Sequence, residues 1–431
     1  MKMDKFDVTI KPATLVGEVL TPPSKSISHR AVICASLAHG TSLVENVAIS
    51  DDVQATIEAM RSFGAAFEGV TEHTQHMDLH ISNSMASLLA SESFHTDSVK
   101  IECNESGSTA RFLMPFFHLV EGEVTFTGKG RLSQRPFTPY FELFDKQGIH
   151  YVTEGGGLPL TVKGRLSPGR YEIVGNVSSQ FITGLMFVLP FLEGDSEICI
   201  TPPLESKDYI ELTVDCLRAF GIEIDRKDER HYFIKGRQKY MSTHYKIEGD
   251  FSQGAFWLVA KSLGQKIEIN GLELNSKQAD RVILSIIDLF EHSKHESREI
   301  DVSQCPDLVP IVSVLAALKP GTTNIINGAR VRLKESDRLK AIATELRKMG
   351  ADIEETTDGL IIHGKKHLQG GILSSWNDHR IAMALAIAAL FCEQEVTIEN
   401  AQVVNKSYPT FWAVFSKLGG QLDVKYHGES I

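Results

Sequence analysis

One pattern recurs six times along the chain, and any fold must house every copy. Each copy opens with small or polar residues, runs on as an apolar stretch of helical length and ends in a short β-like run. The copies occupy 24–47, 105–128, 176–200, 249–271, 305–328 and 376–400, and their starts lie roughly 55–80 residues apart, the size of one supersecondary unit. "SKSISHRAVICASLAHGTSLVENV" is the first and "WNDHRIAMALAIAALFCEQEVTIEN" the last. An amphipathic segment follows most copies and usually stops at Gly, as in "DDVQATIEAMRSFG" and "SDRLKAIATELRKMG". β-like runs such as "LPLTVKG", "HYFIKG" and "GLIIHG" come next, so each unit reads as helix, strand, helix, strand pair. The fourth copy, with "ADRVILSIIDLFEHSKH", is the least regular. The first helix of each unit is apolar nearly all round and therefore belongs inside a domain. This predicts an α/β protein of two similar lobes, three units each, with the change-over near "THYKIEGD", about residue 246.

If the buried helices lie parallel, their N-termini emerge together and direct free N–H groups and positive dipole ends at one cleft. The residues at those starts include Lys25, Ser26, Arg30, Ser178, Ser179, Gln180, Asp307, Asp378, His379 and Arg380. Cations favour the opposite end of a helix. Lys25 and Arg30 in "PPSKSISHRA" are explained if they jointly hold a multiply charged anion. More charge lies in "GRLSQRP" (Arg131, Arg135), "RVRLKESDRL" (Arg330, Arg332, Lys334, Glu335, Asp337, Arg338) and "NKSYP" (Lys406). A lone basic run is normally a solvated face. Recurrence at one place in a repeated unit points instead to a small anion, and phosphate matches Arg and Lys best.

Composition narrows the partners. The chain has 431 residues, and 55 acidic against 44 basic residues leave a net charge of −11, which argues against a nucleic-acid or membrane-surface binder. Six scattered cysteines without a CxxC pair fit a reducing compartment and no structural zinc. "MKMDKFDVTI" does not read as a signal peptide and no apolar run is long enough to span a bilayer, so a cytoplasmic protein is expected. Neither a GxxxxGK[ST] loop nor a GxGxxG fingerprint occurs, so nucleotide binding has no support.

Nine short runs, in order, resemble the enolpyruvyl transferase family, in its shikimate branch: "PPSKSISHRA", "ESGSTARFL", "GKGRLSQRP", "SSQFITG", "GDFSQGAFWL", "CPDLVP", "RLKESDRL", "WNDHRIAMA" and "NKSYP". The resemblance spans nearly the whole chain. It implies two lobes of three βαβαββ-type units with buried parallel helices, an inside-out α/β barrel in each. One lobe would be 22–245 and the other 1–21 plus 246–431, with the active site in the cleft between them. It implies transfer of the enolpyruvyl (1-carboxyvinyl) group of phosphoenolpyruvate to the 5-hydroxyl of shikimate 3-phosphate, with release of phosphate. That is a step toward chorismate and the aromatic amino acids, and the target of glyphosate. No cofactor or metal is implied, and the partners are the two anionic substrates, with the chain a monomer.

The resemblance also assigns roles. Lys25 would lie between the two substrates. Ser26, Arg30, Ser178, Ser179, Gln180, Ser206 and Lys334 match positions that hold shikimate 3-phosphate. Gly107, Arg135, Arg338, Arg380 and Lys406 match the phosphoenolpyruvate site. Asp307 matches the acid/base aspartate on the 5-hydroxyl, and Glu335 the acid that protonates the methylene carbon. Plainer readings stand beside these. "SSQ" and Asp307 also read as helix N-caps, Gly107 as a tight turn and His379 as a packing or capping residue. Arg111 could equally pair with a carboxylate, and Asp337 orient neighbouring cations. Glu105 and Arg330 stand where family members carry Asn. Two other functions compete: the sister transfer to a UDP-linked amino sugar, which uses a loop cysteine that "GKGRLSQRP" lacks, and a non-catalytic anion scaffold, which would not need Asp307 and Glu335 together.

Overall fold

A computed structural model describes residues 5–83, 98–292 and 297–427. The chain forms two compact units, Pro23–Glu248 and Met1–Pro22 with Gly249–Ile431. Each has its own apolar core.

In the unit Pro23–Glu248 the repeat becomes three four-stranded sheets. The second repeat shows why. Ser98–Glu102 and Glu123–Thr127 pair in parallel, which requires a crossover, and the helix Gly107–Leu113 supplies it. The amphipathic helix Thr138–Gln147 then leads to the hairpin strands His150–Thr153 and Leu160–Lys163, which add antiparallel to the same sheet. Alternate residues Val99, Ile101, Val124, Phe126, Leu160 and Val162 are buried, so one sheet face packs inward, as a period of two dictates. Gly169–Val174, Ser196–Thr201, His231–Ile234 and Ile224–Arg226 repeat this order around the helices Ser179–Val188 and Lys207–Ala219. The first repeat lacks an opening strand of its own. His244–Lys246, the last strand before the chain leaves this unit, fills that place parallel to Thr41–Ala48. The chain accordingly changes unit at Glu248/Gly249.

The other unit is closed by the N-terminus. Phe6–Lys11 lies antiparallel between Val396–Glu399 and Gln421–Tyr426 in one four-stranded sheet. Val16–Leu20 pairs in parallel with Lys266–Asn270. The fourth repeat is the irregular one. Its sheet has two strands among the described residues, and its second helix, Ile283–His292, is the last described element before Ser297–Asp301, which opens the next sheet. The three apolar helices Phe251–Ser262, Val309–Leu318 and His379–Ala389 pack against one another inside this unit. Among the described residues no helix is long and apolar enough to cross a membrane.

Candidate active site

Within Pro23–Glu248 three buried helices begin close together. Ser24, Ser106 and Ser178 cap them, their hydroxyls accepting from the backbone N–H of Ile27, Thr109 and Gln180. Lys25 starts the first helix and its ammonium meets Asp52 Oδ2 at 2.8 Å. Asp52 is tied to the second helix start, because Thr109 Oγ1 donates to its carbonyl at 3.4 Å. The second and third starts join through Gln180, whose amide donates to Ser108 Oγ at 2.9 Å and whose Oε1 accepts from Arg111 Nη1 at 3.0 Å.

Gly107 lies between these groups. A Cβ there would stand 3.0 Å from Arg135 Nη1 and 3.7 Å from both Arg111 Nη1 and Gln180 Oε1. Its backbone is ordinary helix, so conformational freedom is not what the position requires; closeness is. Two guanidiniums and an amide around a residue without a side chain form a compact cradle for a small anion. Arg111 is flanked by the faces of Phe181 and Phe137, 5.0 and 5.8 Å from the ring centroids. It belongs to this cradle although the sequence reading left it out of the set. The available signal was its place one helical turn after Gly107.

Arg30 is buried with each guanidinium nitrogen engaged: Nε on Thr213 Oγ1 at 2.8 Å, Nη1 on the Ser26 carbonyl at 2.7 Å and Nη2 on the Tyr209 carbonyl at 2.9 Å. Burial pulls its pKa down to about 10. Ser179 and Ser206 are buried too, Ser206 in a left-handed conformation at φ 55° just before Lys207–Ala219. Glu105 packs its carboxylate onto Gly130, which leaves no room for a Cβ there.

The second cluster belongs to the unit containing Gly249–Ile431, and in it cations and carboxylates interleave. Arg338 heads the helix Arg338–Lys348. Its Nη1 meets Asp307 Oδ1 at 2.8 Å, Nη2 meets Glu335 Oε2 at 2.7 Å and Nε meets Asp378 Oδ2 at 2.8 Å. Asp307 also receives Arg380 Nη2 at 3.0 Å and has Lys334 Nζ at 3.5 Å, while Lys406 Nζ lies 4.0 Å from Glu335. Burial would raise the Asp307 pKa, but Arg380, Lys334 and Arg338 outweigh it and hold the carboxyl well below the usual range. Burial lowers Lys334 to about 8 despite Asp307 beside it.

The roles of the neighbouring residues separate clearly. Asp378 caps His379–Ala389 by accepting from Arg380 N. Asp337 caps Arg338–Lys348 and binds Arg332 with both oxygens at 3.0 Å, so it orients a cation. Arg330 is buried and donates to the Ser303 carbonyl. Sequence reasoning missed Asp280, which accepts from Ser252 at the start of the buried helix Phe251–Ser262. Burial, then the charge of Asp307, pushes Asp280 up to about 6. Only folding brings Asp280 to Asp307, so no local motif could have marked it. Among the described residues one group of side chains, His73, His76 and Asp78 on the hairpin that His76–Asn83 forms with Ala65–Glu72, has donors close enough to share a metal. His73 Nε2 already meets Asp78 Oδ2 there at 3.2 Å.

The EPSP synthase (3-phosphoshikimate 1-carboxyvinyltransferase) family matches residues 10–415. The 3-phosphoshikimate 1-carboxyvinyltransferase of Clostridium novyi (strain NT) is 49% identical over 430 residues, covering 97% of this chain and 98% of its own. That of Clostridium acetobutylicum is 50% identical over 427 residues, covering 96% and 98%. The solved EPSP synthase of Acinetobacter baumannii shares the fold with a TM-score of 0.79 at 24% identity, covering 97% of this chain and all of its own.

Proposed function

The chain belongs to the EPSP synthase family, and from that premise we propose that its two cationic clusters, one in each unit, serve a single pair of substrates. The family's reaction is the chain's own: the 1-carboxyvinyl group of phosphoenolpyruvate passes to the 5-hydroxyl of shikimate 3-phosphate and phosphate leaves. It is a step of the shikimate pathway to chorismate and the aromatic amino acids.

The observation that carries the assignment of roles is the shared Arg338, which holds Asp307 and Glu335 at 2.8 and 2.7 Å and so fixes two carboxylates beside one another. The reaction needs two proton movements. The 5-hydroxyl loses a proton as its oxygen attacks the substituted carbon of the enol, and the methylene carbon gains one. The resulting tetrahedral intermediate then loses a methyl proton, and the C–O bond to phosphate breaks. In this reading Asp307 takes the hydroxyl proton and Glu335 serves the methylene carbon. Asp307 is a poor base while three cations surround it. Anionic substrates that draw Arg380 and Lys334 onto themselves raise its proton affinity, so it becomes an effective base only when both are bound. Cations on the departing phosphate assist the C–O cleavage.

Gly107, Arg135 and Arg111 form the cradle for phosphoenolpyruvate, joined by Arg338, Arg380 and Lys406. Ser26, Arg30, Ser178, Ser179, Gln180, Ser206 and Lys334 hold shikimate 3-phosphate, and Lys25 lies between the two. The reading takes the protein as a monomer of the cytoplasm, whose reducing conditions suit its six free cysteines. Because Ser26 and Arg30 belong to one unit and Lys334 to the other, shikimate 3-phosphate held by all three draws the two units together on binding. Small-angle scattering tests this: shikimate 3-phosphate should reduce the radius of gyration, and an unchanged radius overturns the shared site.

A further inference from the structure

Two consecutive residues before the helix His379–Ala389, Trp376 and Asn377, adopt left-handed conformations at φ 53° and 52°. Neither is glycine, and a tryptophan in this region is unfavourable, so the surroundings must impose it. The constraint is a buried carboxylate. Glu345, 1% exposed, lies on the helix Arg338–Lys348. Its Oε1 accepts from the Trp376 indole N–H at 2.7 Å and its Oε2 from the Ser374 backbone N–H at 3.1 Å. Lys348 Nζ meets Oε2 of the same carboxylate at 2.8 Å and balances its charge.

What this loop delivers is Asp378. Immediately after the strained pair, the 0% exposed Asp378 accepts from Arg338 Nε at 2.8 Å and Ser336 Oγ at 3.0 Å. Glu345 follows Arg338 by about two helical turns, so both project from one side of the same helix. The helix therefore grips the loop at two points: Glu345 at Trp376 and Arg338 at Asp378. Movement of the first grip shifts the second, and with it the guanidinium that sets Asp307 and Glu335.

We propose that Glu345 and Trp376 are positioning residues for the carboxyvinyl transfer, acting through Asp378 on Arg338. The proposal rests on the reading that Asp307 and Glu335, held by Arg338, carry the proton chemistry. A double-mutant cycle on kcat tests it. Trp376→Phe keeps the ring and loses the indole donor. Glu345→Gln removes the charge that Lys348 balances and turns an amide N–H₂ toward the Trp376 or the Ser374 donor. Each should lower kcat about tenfold with KM for shikimate 3-phosphate within about twofold, and the double variant should be no worse than the poorer single variant. Active-site titration by ligand stoichiometry accompanies each measurement. A loss that vanishes when rates are expressed per competent site, or single effects that simply multiply, would overturn the proposal. If Glu345→Gln does not fold, Trp376→Phe decides alone: a kcat per competent site within twofold of the parent overturns it. Asp307→Asn serves as the control. An active Asp307→Asn enzyme defeats the underlying reading, whereas an inactive one beside unaffected Trp376→Phe and Glu345→Gln enzymes defeats only this inference.

Discussion

Two guanidiniums, one in each unit, are almost equally buried, Arg30 at 2% exposure and Arg338 at 1%, yet their surroundings are opposed. Burial alone disfavours charge on both. At Arg338, Asp378, Glu335 and Asp307 overcome that penalty and raise the pKa above its ordinary value. At Arg30 the partners are a hydroxyl and two carbonyls, with the Phe112 ring centroid 5.0 Å away, and the pKa falls to about 10. Both side chains are charged at neutral pH, but only Arg338 is neutralised locally. Arg30 keeps a field that an arriving anion can satisfy. Arg338 already holds three carboxylates. On the proposed reading, Arg30 serves substrate charge alone, whereas Arg338 also organises the carboxylates while it contributes to the phosphoenolpyruvate site.

Removing each cation in turn would break this comparison or establish it. Arg338→Met leaves Asp307, Glu335 and Asp378 without their common partner, so stability should fall by about 3–5 kcal/mol. Activity should fall by roughly a thousandfold in the folded fraction. Arg30→Met relieves a desolvated charge and loses three hydrogen bonds to neutral acceptors. Its stability loss should stay near about 1–2 kcal/mol, while KM for shikimate 3-phosphate rises roughly 10–100-fold. Denaturant unfolding and phosphate-release kinetics read both. Equal stability losses would show that the two sites are electrostatically alike after all.

The contrast also marks what a one-dimensional reading can reach. The six apolar helices and the Ser178 cap were legible because periodicity and N-cap chemistry act within a few residues, but Asp307 is no N-cap: Val309–Leu318 starts without a side-chain cap, and Asp307 instead faces Arg338 and Arg380. Gly107, Arg135, Asp307, Glu335 and Arg338 were legible because short motifs surround them. The borrowed strands were not legible from pattern: nothing local in "FDVTIK" says that it pairs with Val396–Glu399 across most of the chain, nor that His244–Lys246 completes the first sheet. Partners were hidden for the same reason. Lys25 meets Asp52 only once the two helices of one repeat pack together, and Arg111 meets Gln180 and Asp378 meets Arg338 only once separate repeats do. Charge is visible in a sequence; which charge neutralises which is decided by tertiary structure.

Gly107→Ala sharpens the comparison within one cradle. The glycine heads a helix with no left-handed backbone to strain, so alanine should fold normally. Its Cβ would stand 3.0 Å from Arg135 Nη1, on the face where two guanidiniums and Gln180 converge. A single added methyl in a fitted site changes binding by roughly tenfold or more. KM for phosphoenolpyruvate and the inhibition constant for glyphosate should therefore rise by about that factor, with binding of shikimate 3-phosphate nearly unchanged. Equal losses for both substrates would move the phosphoenolpyruvate cradle elsewhere.

The smallest expected effect is a pH dependence, and its sign follows from burial. Lys334 is pulled from its usual value down to about 8, its ammonium desolvated more strongly than Asp307 can compensate. Below that value it is charged; as pH rises through it the ammonium loses its proton and the attraction for shikimate 3-phosphate weakens. KM for that substrate should climb a few-fold between about pH 7 and 9, while Arg338, raised rather than lowered, stays charged throughout. Lys334→Arg should abolish the limb, since a guanidinium does not titrate in this range. A KM that stays flat in the parent enzyme, or an identical limb in Lys334→Arg, would mean that Lys334 does not meet the substrate's charge.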